Sequence, residues 1–417
     1  MKKLFIFALL NLTFSVSAQT DEAIKLSGQI HFRTEFDGRD FNNKTYAPNY
    51  NILRTRVGLS KNFGDVLNVF VQFQDSRNFG EAMTSLGYIK NLDLSQAYFM
   101  INQPFNLPLS VQTGRFRLIY GTQRFLGAND WGLIGRHYDG ARISVKLGKS
   151  KADIFGATVA SMVKTMNPSP NGYPFEAAPD ENHSLYGIYT STSLSEKTLL
   201  DIFAYYELNR KKTNGTDANL DLLTAGFSYS NTFGKIGLTT EFGYQTGKSA
   251  ANDVSAFVLS VTGSYKASET ASLFANFDWY SGTEPGGTKI NTYINSFSTG
   301  HLVLGYMDYF GGIAASTMNL GVKDINIGTD IFLNNTGLKL NAAMHHFLSD
   351  KSSSSGENVF GQELDLTLSY PVVKGSVISL GASLFMPGDL MKSYYKTAQG
   401  AREDTAFWSY LMFVTNF

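Results

Sequence analysis

Arginine is the residue type through which this 417-residue chain could do chemistry, and it is unevenly placed. Ten of the twelve arginines precede residue 150, and only Arg210 and Arg402 follow. A guanidinium keeps its charge and grips carboxylates or phosphates in a planar fork, so a cluster of them suits an anion pathway. The candidates are Arg33, Arg54, Arg56, Arg115, Arg117, Arg136 and Arg142, with Asp139 and Lys146 beside them. The other wall of such a pathway carries the acids Asp201, Glu207, Asp278, Asp324, Asp330, Glu363 and Asp365. For any single arginine the competing role is bracing against a nearby acid such as Glu35.

Other chemistries find less support. His345 and His346 are adjacent, so in a strand they point to opposite faces and cannot chelate one metal together. The six histidines are dispersed and no compact nucleophile motif occurs, which weighs against Ser/His/Asp hydrolysis. Gly286-Gly287 lacks the strand-to-helix setting of a phosphate loop. No metal and no cofactor are expected. Lys+Arg and Asp+Glu are both 35, and this balance argues against a nucleic-acid partner.

The elements that must position the arginines are strands. In residues 24–36, Ile24, Leu26, Ile30, Phe32 and Phe36 share one parity, while Lys25, Ser27, Gln29, His31, Arg33 and Glu35 share the other. Such a long period-two run suits a strand tilted across a bilayer. The pattern returns at Leu273, Ala275, Phe277 and Trp279, and again at Leu364, Leu366, Leu368 and Tyr370. Eighteen candidate strands are centred near residues 30, 56, 70, 97, 112, 143, 156, 188, 204, 226, 241, 260, 276, 329, 342, 365, 382 and 412. Tight turns at 62–65, 148–150, 233–235 and 334–337 alternate with longer polar stretches at 37–51, 75–91, 118–137, 163–182, 281–323 and 388–405. Short turns on one side and long loops on the other are the organisation of an outer-membrane barrel, with both termini periplasmic. The expected fold is therefore all-β: an antiparallel up-and-down transmembrane barrel of about 18 strands.

The ends of the chain fit that location. Lys2-Lys3, the apolar stretch Leu4–Phe14 and Val16-Ser17-Ala18 form a secretory signal, predicted as residues 1–18, ahead of a single barrel domain at 19–417. The absence of Cys agrees with passage through the periplasm without disulfides. The last segment places Phe407, Leu411, Phe413 and Phe417 on one parity, assigned to lipid, and its terminal Phe is a feature that barrel-assembly machinery reads.

With the apolar parity on lipid, Arg33, Arg54, Arg56, Arg142 and Lys146 face the lumen. Leu109 and Val111 share the parity of Arg115 and Arg117, so a register-shifting bulge near Gly114 is needed to bring those two arginines inside. The result is a basic wall facing the acids of Asp278, Asp330, Glu363 and Asp365, with a transverse field across a water-filled pore.

The segment Gly114-Arg115-Phe116-Arg117-Leu118-Ile119-Tyr120-Gly121 continues through Arg124-Phe125-Leu126-Gly127, Asp130-Trp131 and Arg136-His137-Tyr138-Asp139-Gly140-Ala141-Arg142. It resembles the signature of the alginate export family of outer-membrane porins. His301-Leu302-Val303-Leu304-Gly305-Tyr306-Met307-Asp308, Gly361-Gln362-Glu363-Leu364-Asp365-Leu366 and Phe385-Met386-Pro387-Gly388-Asp389 are similar to later parts of that family, in the same order. The resemblance implies a monomeric 18-stranded barrel with an arginine-rich constriction that passes an anionic polysaccharide passively. Arg115, Arg117, Arg136, Asp139 and Arg142 would lie at or near that constriction, beneath an inward-folding loop from Tyr120 to His137.

The sequence thus leads to a passive channel in the bacterial cell outer membrane for anionic solutes, alginate-like polysaccharide included, and not to an enzyme. Expected partners are outer-membrane lipid and lipopolysaccharide, the barrel-assembly machinery, an anionic saccharide solute and periplasmic export components. A general porin for nutrient or oligosaccharide uptake is the alternative within transport. An outer-membrane hydrolase is the alternative outside it.

Overall fold

A computed structural model describes residues 23–81, 91–160, 182–213, 216–217, 219–333, 336–394 and 402–417. The predicted signal at 1–18 and parts of the loops near 75–91, 163–182 and 388–405 lie outside the described residues, as do Asn334 and Asn335 of one predicted turn.

Eighteen antiparallel strands form one closed sheet. They are β1 (Lys25–Gly38), β2 (Asn49–Phe63), β3 (Leu67–Asn78), β4 (Asp93–Asn102), β5 (Leu109–Phe116), β6 (Tyr138–Leu147), β7 (Ser150–Ala160), β8 (His183–Ser195) and β9 (Thr198–Asn209). The second half comprises β10 (Leu220–Phe233), β11 (Ile236–Ser249), β12 (Asn252–Lys266), β13 (Ala271–Tyr280), β14 (Val322–Leu333), β15 (Leu338–Leu348), β16 (Val359–Val373), β17 (Ser376–Pro387) and β18 (Ala406–Asn416). All the predicted centres fall inside these strands. Each strand pairs with its sequence neighbours, and β18 returns to β1 with Gln29 opposite Asn416 and Gly38 opposite Phe407. Closure leaves no unpaired edge, the condition for a sheet in lipid.

Alternation decides which face each residue takes. On β1, His31, Arg33 and Glu35 are buried inside while Ile30 and Phe36 are exposed outside. On β9, Asp201, Phe203 and Tyr205 are buried and Ile202 is exposed. Short turns are set by local backbone: Gly148 and Gly234 take φ of 58° and 61°, a left-handed conformation that a Cβ disfavours. Two apolar clusters fill the outer half of the lumen. One joins Phe116, Tyr138, Phe155, Tyr189 and Phe203 to Leu118, Tyr120 and Leu126 of the loop between β5 and β6. The other joins Val258, Phe347, Phe385 and Trp408 to Leu304, Met307, Phe310 and Ile313 of the loop between β13 and β14, which includes the short α1 (Ile313–Ser316). The expectation of a water-filled pore is corrected here for the outer half of the lumen. The strands are apolar on both faces near their outer ends because loops, not water, cover them there.

Candidate functional site in the barrel lumen

Arg33, Arg54 and Arg56 lie side by side on the inner faces of β1 and β2 and are buried. What buries them is the loop from Arg117 to His137, which turns into the lumen after β5. Arg33 donates to the Trp131 carbonyl at 3.0 Å, and Arg54 to the carbonyls of Asp130 and Gly132 at 3.0 and 2.8 Å. Arg56 donates to Asp130 Oδ1 at 3.1 Å and to the Ile134 carbonyl at 3.0 Å, with its Nε on Gln74 at 2.6 Å. Arg33 also pairs with Glu35 at 2.6 Å. Bracing and charge placement are therefore the same act: the guanidiniums satisfy loop carbonyls that would otherwise be buried unpaired.

Asp130 is the focus. It meets Arg56 at 3.1 Å, Arg54 at 3.8 Å and Arg117 in a close ion pair, while its own side chain stays 43% exposed. Three guanidiniums around a single carboxylate leave an excess of two positive charges at a point that solvent reaches. Burial alone would raise the Asp130 pKa, but Arg117, Arg56 and Arg54 outweigh it and hold the carboxyl below its usual value. His137, at the end of the same loop, is pushed down to about 4 by burial and then by Arg56 and Arg117, so it is neutral, and its Nε2 shares a hydrogen bond with Ser95 Oγ at 2.9 Å.

The other predicted arginines divide. Arg117 is in the cluster, but the bulge invoked to place it does not exist: the β5–β6 ladder runs unbroken from Leu109 opposite Val145 to Phe116 opposite Tyr138. Arg115 and Asp139 therefore keep the outward parity of Thr113 and Ile143 and pair with each other at 3.3 Å, away from the constriction. Their luminal assignment is corrected. Arg117 reaches the lumen only because the chain leaves the sheet after Phe116. Arg136 points between loops, donating to the carbonyls of Gly127 at 3.0 Å and Ser298 at 3.3 Å and to that of Phe297. Arg142 faces inward on β6, bonded to Gln112 at 2.5 Å and 3.9 Å from Asp153. Lys146 is exposed on the same inner parity near the periplasmic turn, opposite Lys151.

The acidic side is occupied as well. Arg124, a loop residue absent from the predicted site, crosses to it. Its guanidinium reaches Glu241 at 2.9 Å, Asp278 at 3.0 Å, Tyr280 Oη at 2.7 Å and Ser260 Oγ at 2.9 Å. Asp324 holds His345 Nδ1 at 2.8 Å, the structural role for that histidine. Glu363 and Asp365 accept the backbone N–H groups of Met307 and Tyr306 at 2.8 and 3.2 Å, and Asp330 pairs with Lys339 at 2.8 Å. Asp201 accepts from Tyr189 at 2.5 Å, and Glu207 faces His183 at 2.8 Å. The predicted open field between the two walls is thus replaced by two inward loops, the first of which is pinned to both walls.

Those loops also bind each other. Gly127 donates to the Phe297 carbonyl at 2.9 Å. The Trp131 ring stacks on His301 with centroids 3.8 Å apart, and His301 on Tyr306 at 5.0 Å; Arg33 caps the Trp131 face at 3.8 Å. Three of the segments quoted above for their family resemblance meet around this strut, with Glu363 and Asp365 holding the backbone at Met307 and Tyr306, and Phe385 packs nearby on Tyr309. Membership of those segments was the signal by which Arg124, Trp131, His301 and Tyr306 could have been found.

Comparison with known proteins agrees with this geometry. The "Alginate export" family model matches residues 23–404. No curated protein matches the chain. Among solved structures, OccK8 (OprE) of Pseudomonas aeruginosa is similar with a TM-score of 0.62 at 12% identity, covering 94% of this chain and 98% of that one. OccAB4 of Acinetobacter baumannii gives 0.60 at 12% identity over 94% and 98% of the two chains. Pseudomonas aeruginosa OccK2 (OpdF), solved in complex with glucuronate, gives 0.58 at 11% identity over the same shares. At such identity these likenesses establish the barrel fold. Family and fold together support a passive outer-membrane channel rather than an enzyme. The chain belongs to the alginate export family and is a bacterial outer-membrane protein.

Proposed function

We propose that this barrel passes anionic solutes, sugar acids and alginate-like polysaccharide among them, with the arginine side of its lumen as the selective element. The observation that carries this reading is the imbalance at Asp130, where three guanidiniums meet one half-exposed carboxylate. A carboxylate arriving there exchanges water for charge-assisted hydrogen bonds and competes with Asp130. It is released again because the guanidiniums always have Asp130 to return to. A structurally similar barrel holding glucuronate makes sugar acids the natural first solutes to try. Because the loops fill the outer lumen, passage requires them to part at the Trp131–His301 strut.

In the same reading residues 1–18 direct secretion and are removed, and the assembly machinery reads the last strand. The mature barrel sits in lipid and lipopolysaccharide, and periplasmic export components deliver the polymer. Liposome swelling tests the selectivity. Glucuronate is expected to enter faster than uncharged glucose through the wild type, with the preference lost in Arg56→Ala/Arg117→Ala. Equal entry of the two sugars through the wild type would remove the basis of the proposal.

A further inference from the structure

The acid-lined half of the lumen carries an inward aromatic ring that stands apart from the two apolar clusters. Phe274 faces inward on β13 and lies across Gly328 of β14. A Cβ at Gly328 would stand 2.2 Å from the ring's Cζ, so the ring can lie flat only because that position has no side chain. In register with Phe274 run Gly237, Ser264, Gly328 and Ala343, all small, so nothing on its own row stands over the ring. The row above is uncharged across β11 to β14: Thr239, Thr262, Asn276 and Asn326 are successive partners. These residues and Asn341 line a cavity of about 330 Å³ that is roofed by the loop at His301–Tyr306. That volume is at the lower end of the range of roughly 300–1,000 Å³ for small-ligand sites.

The amides are pre-set. Thr262 Oγ1 donates to Asn276 Oδ1 at 2.6 Å, which turns the Asn276 Nδ2 donor toward the remaining space. Its cross-strand partner Asn326 is oriented oppositely, because its Nδ2 donates to Asp324 at 2.8 Å and leaves Oδ1 as an acceptor. A donor beside an acceptor matches two neighbouring hydroxyls, each of which can both give and receive a hydrogen bond. A flat π-face beneath them attracts the polarised C–H groups on one side of a pyranose. The one guanidinium on the cavity wall among the described residues, Arg124, is taken up by Glu241 and Asp278, and Asp324, Asp330 and Asp365 stand nearby, so an arriving carboxylate finds no spare cation there.

We propose that the inner face of β11–β15 is a subsite for an uncharged pyranose ring, stacked on Phe274 and held by Asn276 and Asn326. It deepens the reading of the barrel as a saccharide channel and rests on it: uncharged units of a mixed saccharide would rest on this side while carboxylate-bearing units engage the arginines opposite.

The test is isothermal titration calorimetry of detergent-purified full-length protein with cellobiose and, separately, digalacturonate. Cellobiose is expected to bind the wild type, to weaken about tenfold in Phe274→Leu, which keeps apolar bulk without a flat face, and to be retained by Phe274→Trp. No heat with cellobiose, or equal binding by Phe274→Leu, overturns the subsite. Binding of digalacturonate alone, lost in Arg117→Ala, also overturns it by moving recognition to the basic side. Absence of ion current in bilayers would count against the channel reading, and the calorimetric result would stand apart from it.

Discussion

Asp130 and Arg124 show how single residues set the character of this lumen. Asp130 organises like charges that would otherwise repel, and Arg124 neutralises acids that would otherwise be buried without a counter-charge. Removing one member of a buried pair leaves the rest uncompensated, which costs about 3–5 kcal/mol. Arg124→Met should therefore destabilise the barrel by about that amount, because Glu241 and Asp278 lose their shared partner. Urea unfolding in detergent micelles measures it, and an unchanged midpoint would show that the pair is idle. His137 gives a pH dependence. Its ordinary value is 6.5 and it is held down to about 4 in the folded protein. The undocked loop thus binds more protons than the docked one between those values, and docking weakens as pH falls through that window. Asp130, held below its usual value, remains charged until still lower pH. Single-channel conductance is expected to rise as pH falls from about 6.5 to about 4 in the wild type and to show no such step in His137→Gln.

At the level of elements, the strands were legible from alternation, and the inward turn of the loop from Tyr120 to His137 through the family resemblance alone. Period-two alternation identified every strand of the sheet because lipid enforces an apolar outer face over its whole height. It also placed Arg33, Arg54, Arg56 and Arg142 inside. It failed at Arg115, where an arginine on the outer parity was rescued by a bulge that the unbroken ladder lacks. A residue next to Phe116 can be exposed at the outer rim without touching the lumen. The loop at 281–323 was seen only as long and polar. Its apolar members, Tyr293, Phe297, Phe310 and Ile313, are spaced to fit inner strand faces and follow no period of their own. The strut between the two loops is the element on which opening depends. Trp131→Ala removes the ring that Arg33 and His301 sandwich, so larger and more frequent openings are expected in single-channel records. Unchanged openings would mean that the loops part elsewhere.

The whole molecule is a closed wall around an asymmetric interior. Closure is completed where Phe417 exchanges backbone hydrogen bonds with Gly28 at 2.7 and 3.0 Å and its ring covers Gly28 on the lipid face. A Cβ at Gly28 would fall 2.3 Å from that ring, so Gly28→Leu should displace it and loosen the seam next to Arg33. The expected sign is a lower temperature for loss of the compact band in unboiled gels, and an unshifted band would show that the seam tolerates the crowding. The arginine excess around Asp130 is the property from which selectivity follows, and it is measured most directly by reversal potential in a planar bilayer under a salt gradient. Wild type is expected to favour anions, with the potential moving toward zero in Arg56→Ala/Arg117→Ala while the channel still conducts. A cation-selective wild type, or a double variant that keeps its anion preference, would contradict the account.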